Sequence, residues 1–452
     1  MKRKVDALQG SLIPLILTYT FPLILTTIAQ HLFEIVDKAV LGNMADTVAV
    51  AAVGATGTIT SLAINSFVGL SSGTTIVLGR YIGQKNDAKI RTAIDTSLIA
   101  GVGFGILVAI VGVIASPAFL ILTNCPAACY DSALLYIRIY IAAAPATLLY
   151  NYGASVLRTL GDTRRPFIYI MIAGVTNLIL NIILCLILPE KVAAVAIATA
   201  VSKIISAVLV VNRLCHFEDS ARVRLHKMQF SLSALGNLLR FGIPTAVYKL
   251  IFPLANLQIV SAINSFGVDA VAGNSAAESI NNINNSFTDS FGIATMTFMG
   301  QNIGAEQPER TRKSLLYCLF FSVGIGGAMG LLTHFTGEFW LGLILGFSSS
   351  HAIEYGMMRS FWVTQFMFIK GVNAVLSHAL QAYGYPIFSS VNSIVFTLGF
   401  RIVWMQGFYP QNPTFSMIMM CFTISWTLIM LFNSVAAVIL THRYSKGSYK
   451  KI

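Results

Sequence analysis

Apolar stretches of roughly 20 or more residues recur along the whole chain, each long enough to cross a hydrocarbon core about 30 Å thick as a helix. Breaks in this pattern predict spans at 14–42, 48–79, 92–118, 131–157, 166–188 and 192–214, then at 241–266, 269–300, 314–336, 353–381, 386–408 and 414–441. Helices are the economical reading, because backbone groups find no water to bond inside lipid. The first stretch follows Met1, Lys2, Arg3 and Lys4 as a secretory leader would. It nevertheless runs on to about residue 42, carries Glu34 and Asp37 and lacks a small-x-small cleavage site, so it is expected to remain as a span. The longest polar interruption, 216–240, falls between the two sets of six. The expected division is therefore an N-lobe at 1–215, a cytoplasmic linker at 216–240 and a C-lobe at 241–452, with a short amphipathic surface helix over 230–241.

The two sets echo one another about 221 residues apart. GRYIG at 79–83 is matched by GQNIG at 300–304, and each is followed by polar residues that reach Arg91 and Arg312 at the same spacing. Pro22 pairs with Pro244, and LRTLG at 157–161 with LQAYG at 380–384. Six spans per copy is an even number, so both copies enter the membrane from the same side. Such repeats are related by an axis along the membrane normal, with substrate sites between the lobes near midplane. The predicted fold is an all-α integral membrane protein, with twelve transmembrane helices in two six-helix lobes related by a pseudo-two-fold along the membrane normal.

Composition agrees: 56% of the 452 residues are hydrophobic, only 11% are charged, and mean hydropathy is +0.73. No soluble globular chain of this length has that balance. The net charge of +12 is spread over one set of loops, through Arg80, Lys85, Lys89, Arg158, Arg164, Arg165, Arg222, Arg224, Lys227, Arg310 and Lys313. The opposite loops, including 117–130 and 337–352, hold no Lys or Arg; Lys191 is the clear exception. Short cytoplasmic loops accumulate these residues, which places both termini in the cytoplasm. A nucleic-acid partner is excluded, since it would require a concentrated basic patch.

Asp37 lies inside the first span with Glu34 three residues before it, so the two carboxylates share a helical face. An ionisable residue within a membrane is a functional hypothesis by default, and burial pushes a carboxyl towards titration at physiological pH. Pairing with Lys38, or capping of a kinked helix, is the structural alternative. Glu278 and Asp289 bracket a polar run through Asn281, Asn282, Asn284, Asn285 and Ser286 in the eighth span. This stripe is expected to line a polar cavity, with interhelical hydrogen bonding as the alternative. Lys203 and Lys370 also lie deep, whereas Arg401 and Lys249 lie near enough to span ends to snorkel. Met296, Met367 and neighbouring aromatics are adaptable surfaces for amphipathic substrates, or ordinary packing. The lysines warn against assuming a cationic substrate.

Several segments carry a family resemblance: FPLILTTIAQHLFEIVDKAVLGN at 21–43, GRYIGQKND at 79–87, LRTLGDTRRP at 157–166, GVTNLILNIILC at 174–185 and FGIP at 241–244. Together they resemble the multidrug and toxic compound extrusion (MATE) family of efflux carriers over essentially the full chain. The resemblance implies a cation-coupling site at Asp37, Asn177, Asn181 and Thr199, which would be the ligand set for Na+. Asn181 stands where many relatives carry a second Asp; Asn keeps an oxygen ligand and loses the charge. Glu34 is expected to supply the missing carboxylate from one turn away. The repeat sets Gln258 opposite Asp37, so coupling belongs in the first lobe.

Enzymatic signatures are absent: the seven His form no H-E-x-x-H pattern, and there is no Walker loop or dinucleotide fingerprint. Of the six Cys, only Cys125 and Cys129 are close in sequence, in a spacing that resembles no zinc site. Transport energy must then come from an ion gradient, since one charge crossing about 100 mV yields roughly 2.3 kcal/mol. The function expected is secondary efflux of amphipathic, cationic organic compounds in exchange for H+ or Na+. The chain is expected to act as a monomer in the plasma membrane, with lipid and a small-molecule substrate as partners and no cofactor. A lipid-linked oligosaccharide flippase of the same superfamily is the competing carrier, and a passive channel the alternative of another class.

Overall fold

The computed structural model describes residues 5–44, 47–123, 125–217 and 221–446. Among these, all regular structure is helical. The first half holds α1 (Leu12–Met44), α2 (Thr47–Gly83), α3 (Asp87–Leu122), α4 (Tyr130–Ala142), α5 (Ala144–Thr159), α6 (Arg164–Ile187) and α7 (Lys191–Cys215). The second holds α8 (Leu232–Ala255), α9 (Leu257–Asn264), α10 (Val268–Gly304), α11 (Pro308–Phe335), α12 (Gly337–Leu345), α13 (Ser350–Trp362), α14 (Met367–Ala382), α15 (Pro386–Ile394), α16 (Phe400–Val403) and α17 (Phe415–Ser445).

Twelve spans emerge from these pieces. Eight helical runs are long and apolar enough to cross a membrane alone, and α4 with α5 forms a ninth, bent by 43° where Pro145 opens α5. The remaining three are less regular. The seventh breaks between α8 and α9, two residues after Pro253 withdraws its N–H from the helical ladder. The tenth is interrupted between α13 and α14, and the eighth is the long polar helix α10. The surface helix expected over 230–241 is a correction: α8 begins at Leu232 and runs unbroken to Ala255, so that segment is the opening of a span.

The sequence echoes recur as matching backbone turns. At the end of α2, Gln84, Lys85 and Asn86 donate to the carbonyls of Arg80, Ile82 and Tyr81; at the end of α10, Ala305, Glu306 and Gln307 donate to Gln301, Ile303 and Asn302. Lys85 and Glu306 both take the left-handed conformation, with φ of 51° and 57°. The second pair of loops agrees in the same way, turning at Gly161 and Gly384 with φ of 85° and 95°. Glycine reaches that region without a Cβ clash, which is why it ends both helices.

The chain forms two compact units, one of residues 1–5 and 25–246, the other of 6–24 and 247–452. The division cuts α1 after Ile24 and α8 after Ala246, at nearly equivalent points of the repeat. The linker and the opening half of α8 therefore pack within unit 1. There Asp95 of α3, only 1% exposed, accepts the backbone N–H of Gln229 at 3.1 Å, and Thr96 Oγ1 accepts that of Ser231. In unit 2, Arg310 holds the segment before α1 by donating to the carbonyls of Ala7, Gly10 and Gln9 at 2.8–3.0 Å.

Candidate functional site

In unit 1, α6 is apolar except for a face that carries Asn177 and Asn181, one turn apart and 5% and 0% exposed. Buried amides need partners, and these find each other. Asn181 Nδ2 donates to Asn177 Oδ1 at 3.3 Å, and Asn177 Nδ2 donates to Thr199 Oγ1 of α7 at 3.4 Å. The three residues named by the resemblance thus form one polar row across two helices. Phe33 of α1 fills the notch at Gly174, whose missing Cβ would lie 2.1 Å from the ring. That contact holds α1 against α6 one turn before Asp37. Asp37 and Glu34 belong to α1, but their side chains lie outside the described set. Lys203 is half-buried on α7, one turn beyond Thr199.

In unit 2, α10 divides its polar residues by face. Asn281 Oδ1 accepts from Thr364 Oγ1 at 2.7 Å, and Asn284 Nδ2 donates to Thr333 Oγ1 of α11 at 3.0 Å; both asparagines are buried glue between helices. Glu278, Asn282, Asn285 and Asp289 follow an i, i+4, i+7, i+11 pattern and share another face. On that face the two acids are exposed and the two asparagines half-buried. Interhelical hydrogen bonding thus accounts for Asn281 and Asn284, while Asn282 and Asn285 stay with the acids on a different side of the helix.

Cations gather along α10. Gly371 of α14 abuts Thr288, where an added Cβ would lie 3.2 Å from its methyl, and this sets Lys370 beside Asp289. A Cβ added at Gly292 would lie 2.7 Å from His378 Nδ1. Asp289 lies within electrostatic reach of Lys249, Lys370, His378 and Tyr248. Towards the other end, Arg359 donates to Asn274 Oδ1 at 2.5 Å and lies over the Phe422 ring, one turn from Glu278.

Some expectations need correcting. Arg401 does not snorkel: it is 1% exposed, donates to Asn256 Oδ1 at the break after α8, and sits 4.4 Å from the Phe422 ring centroid. Lys249 is half-buried and within electrostatic reach of Asp289. Met296 and Met367 are buried at 3% and 1%, and Met367 belongs to an apolar cluster with Val363, Trp404 and Phe422, so both are packing residues. Gln258 is exposed just past the break. Arg359 and Asp95 escaped notice although each is a charge inside an expected span; scanning every such position would have found both.

Long apolar helices, a twofold repeat and polar rows held inside spans define a multi-span membrane transporter. The MatE family profile matches residues 22–187 and 244–405. The chain belongs to the MatE family. It is 26% identical over 395 residues to the "Probable multidrug resistance protein YoeA" of Bacillus subtilis, covering 85% of this chain and 84% of that one. It is 25% identical over 336 residues to the "FAD transporter" of Shewanella oneidensis, covering 71% and 72%. In three dimensions it matches a MOP superfamily transporter from Pyrococcus furiosus with a TM-score of 0.89, at 18% identity over 98% of this chain and 99% of that one.

Proposed function

We propose that the protein is a secondary active exporter, exchanging H+ or Na+ for an amphipathic organic compound by alternating access. It would act in the plasma membrane with both termini cytoplasmic. The observation that carries this reading is the row of buried Asn177 and Asn181 with half-buried Thr199, oxygen ligands from two helices inside the membrane, with Asp37 on a helix held against the same α6. Amide and hydroxyl oxygens are hard ligands suited to Na+, and Asp37 supplies the negative charge that either ion requires. Because Asn181 is neutral, a single carboxylate must carry the coupling unless Glu34 joins it. The coupling ion is cargo and not a resident cofactor. Membership of a family whose named relatives include a multidrug resistance protein and an FAD transporter supports export of organic molecules.

The test is dye movement in proteoliposomes under an imposed pH or Na+ gradient. Uptake should follow one gradient in the wild type and lose that dependence in D37N, while N181D, which restores a second acid, should shift the response towards Na+. Uptake insensitive to both gradients and unchanged in D37N would refute the mechanism.

A further inference from the structure

Asp289 has two lysines around it, Lys249 of α8 and Lys370 of α14, in mutual electrostatic reach. Neither lysine makes a hydrogen bond or ion pair with a described residue, and both are half-buried, while Asp289 is exposed on the polar face of α10. The three charges are therefore close enough to feel one another without closing into an ion pair. Both ammonium groups lie in reach of Asp289, with Glu278 a more minor influence on Lys370, and charges inside a membrane protein are retained where they pair with something. Farther along α10, Glu278 lies within electrostatic reach of Lys370 and of Arg359, and Arg359 stands near a further cation, Arg401, so four cations face two carboxylates along this helix.

We propose that Lys249 and Lys370 recognise an acidic group, a carboxylate or phosphate, on the transported molecule, with Asp289 as the internal counter-charge that the group displaces. The cargo is then an anionic or zwitterionic amphiphile, in place of the cationic class expected from the resemblance. A planar or tetrahedral oxyanion would bridge both ammonium groups through charge-assisted hydrogen bonds. The exposed side of α10, with Asn282 and Asn285 between the acids, offers further donors to its polar body. This inference rests on the exporter reading only for the idea of a cargo.

The experiment is equilibrium binding to the full-length protein in neutral-lipid nanodiscs, read by fluorescence anisotropy. The probes are carboxyfluorescein and a cationic rhodamine ester of the same ring system. Carboxyfluorescein should bind more tightly than the ester. K370Q and K249Q should each weaken carboxyfluorescein binding by about tenfold or more, the scale of a lost charge-assisted contact, and leave the ester unchanged. K370R should retain most of the affinity. D289N should strengthen carboxyfluorescein binding, an opposite sign that misfolding cannot produce. Tighter binding of the ester, or unaltered carboxyfluorescein binding in both lysine variants, overturns the proposal. Loss of dye binding when phosphatidylglycerol replaces neutral lipid assigns the lysines to a lipid headgroup and also overturns it. Because the readout is binding without a gradient, it stands or falls separately from ion coupling.

Discussion

Replacing Gly73 of α2 by alanine should destabilise unit 1 far more than the added methyl suggests. Its Cβ would lie 2.2 Å from the carbonyl oxygen of Leu238 in the opening half of α8. An ordinary carbon to oxygen contact needs more than 3 Å, so α2 and α8 would have to separate by about 1 Å, and the obstructing atom is backbone that no rotamer change can move. The contact is reciprocal: a Cβ on Gly242 would meet the Leu70 carbonyl at 2.5 Å, and one on Gly69 would meet Ala246 Cα at 2.4 Å. Gly69 and Gly73 thus face Gly242 and Ala246, two small-xxx-small pairs, the arrangement that lets helices approach when lipid offers no hydrophobic gain. Overpacking of this kind costs about 1–3 kcal/mol, and the rigid partner puts Gly73→Ala at the upper end. For a unit of this size that is a fall of roughly 5–10 °C in thermal midpoint. The comparison is Gly103→Ala in α3, where nothing lies within 4 Å of the added Cβ and helix propensity should give up to about 1 kcal/mol of stabilisation. Thermal unfolding of the purified variants in one detergent reads both. Midpoints for Gly73→Ala and Gly103→Ala that agree within error would refute the close-approach argument.

Lys85→Gly and Glu306→Gly should each stabilise by about 0.5–1 kcal/mol, because relief of left-handed strain exceeds the added entropy of the unfolded chain; a lower melting temperature for both would count against the reading. The Cys125 thiol is pushed up from its ordinary range by burial, reinforced by the Cys129 sulfur 4.0 Å away. Its alkylation by iodoacetamide, followed by mass spectrometry, should rise with a midpoint above the usual thiol value of about 8.5 and fall back towards it in Cys129→Ala. A wild-type midpoint at or below the usual value would contradict this.

Much of the architecture was legible in the chain itself. Hydropathy located the spans, and the paired GRYIG and GQNIG segments announced a repeat whose turns agree down to the left-handed Lys85 and Glu306. Both signals are local: lipid is met one residue at a time, and such a turn is closed by hydrogen bonds within about six positions. The resemblance picked out Asn177, Asn181 and Thr199, which the folded chain joins in one row. What the sequence could not decide was which neighbour each polar group would meet. Arg401 looked free to reach an interface, yet α17 offers it the Phe422 ring and the broken seventh span offers Asn256. The asparagines of α10 look alike in sequence, but α11 and Thr364 claim two of them and leave two beside the acids. Met296 and Met367 resembled cavity material until packing buried them. The assignment of the first part of α1 to one compact unit and the rest to the other was likewise hidden. Whether a residue suits a membrane depends on its own side chain, whereas its partner and its face depend on helices brought beside it from far along the chain, and only the tertiary structure fixes those.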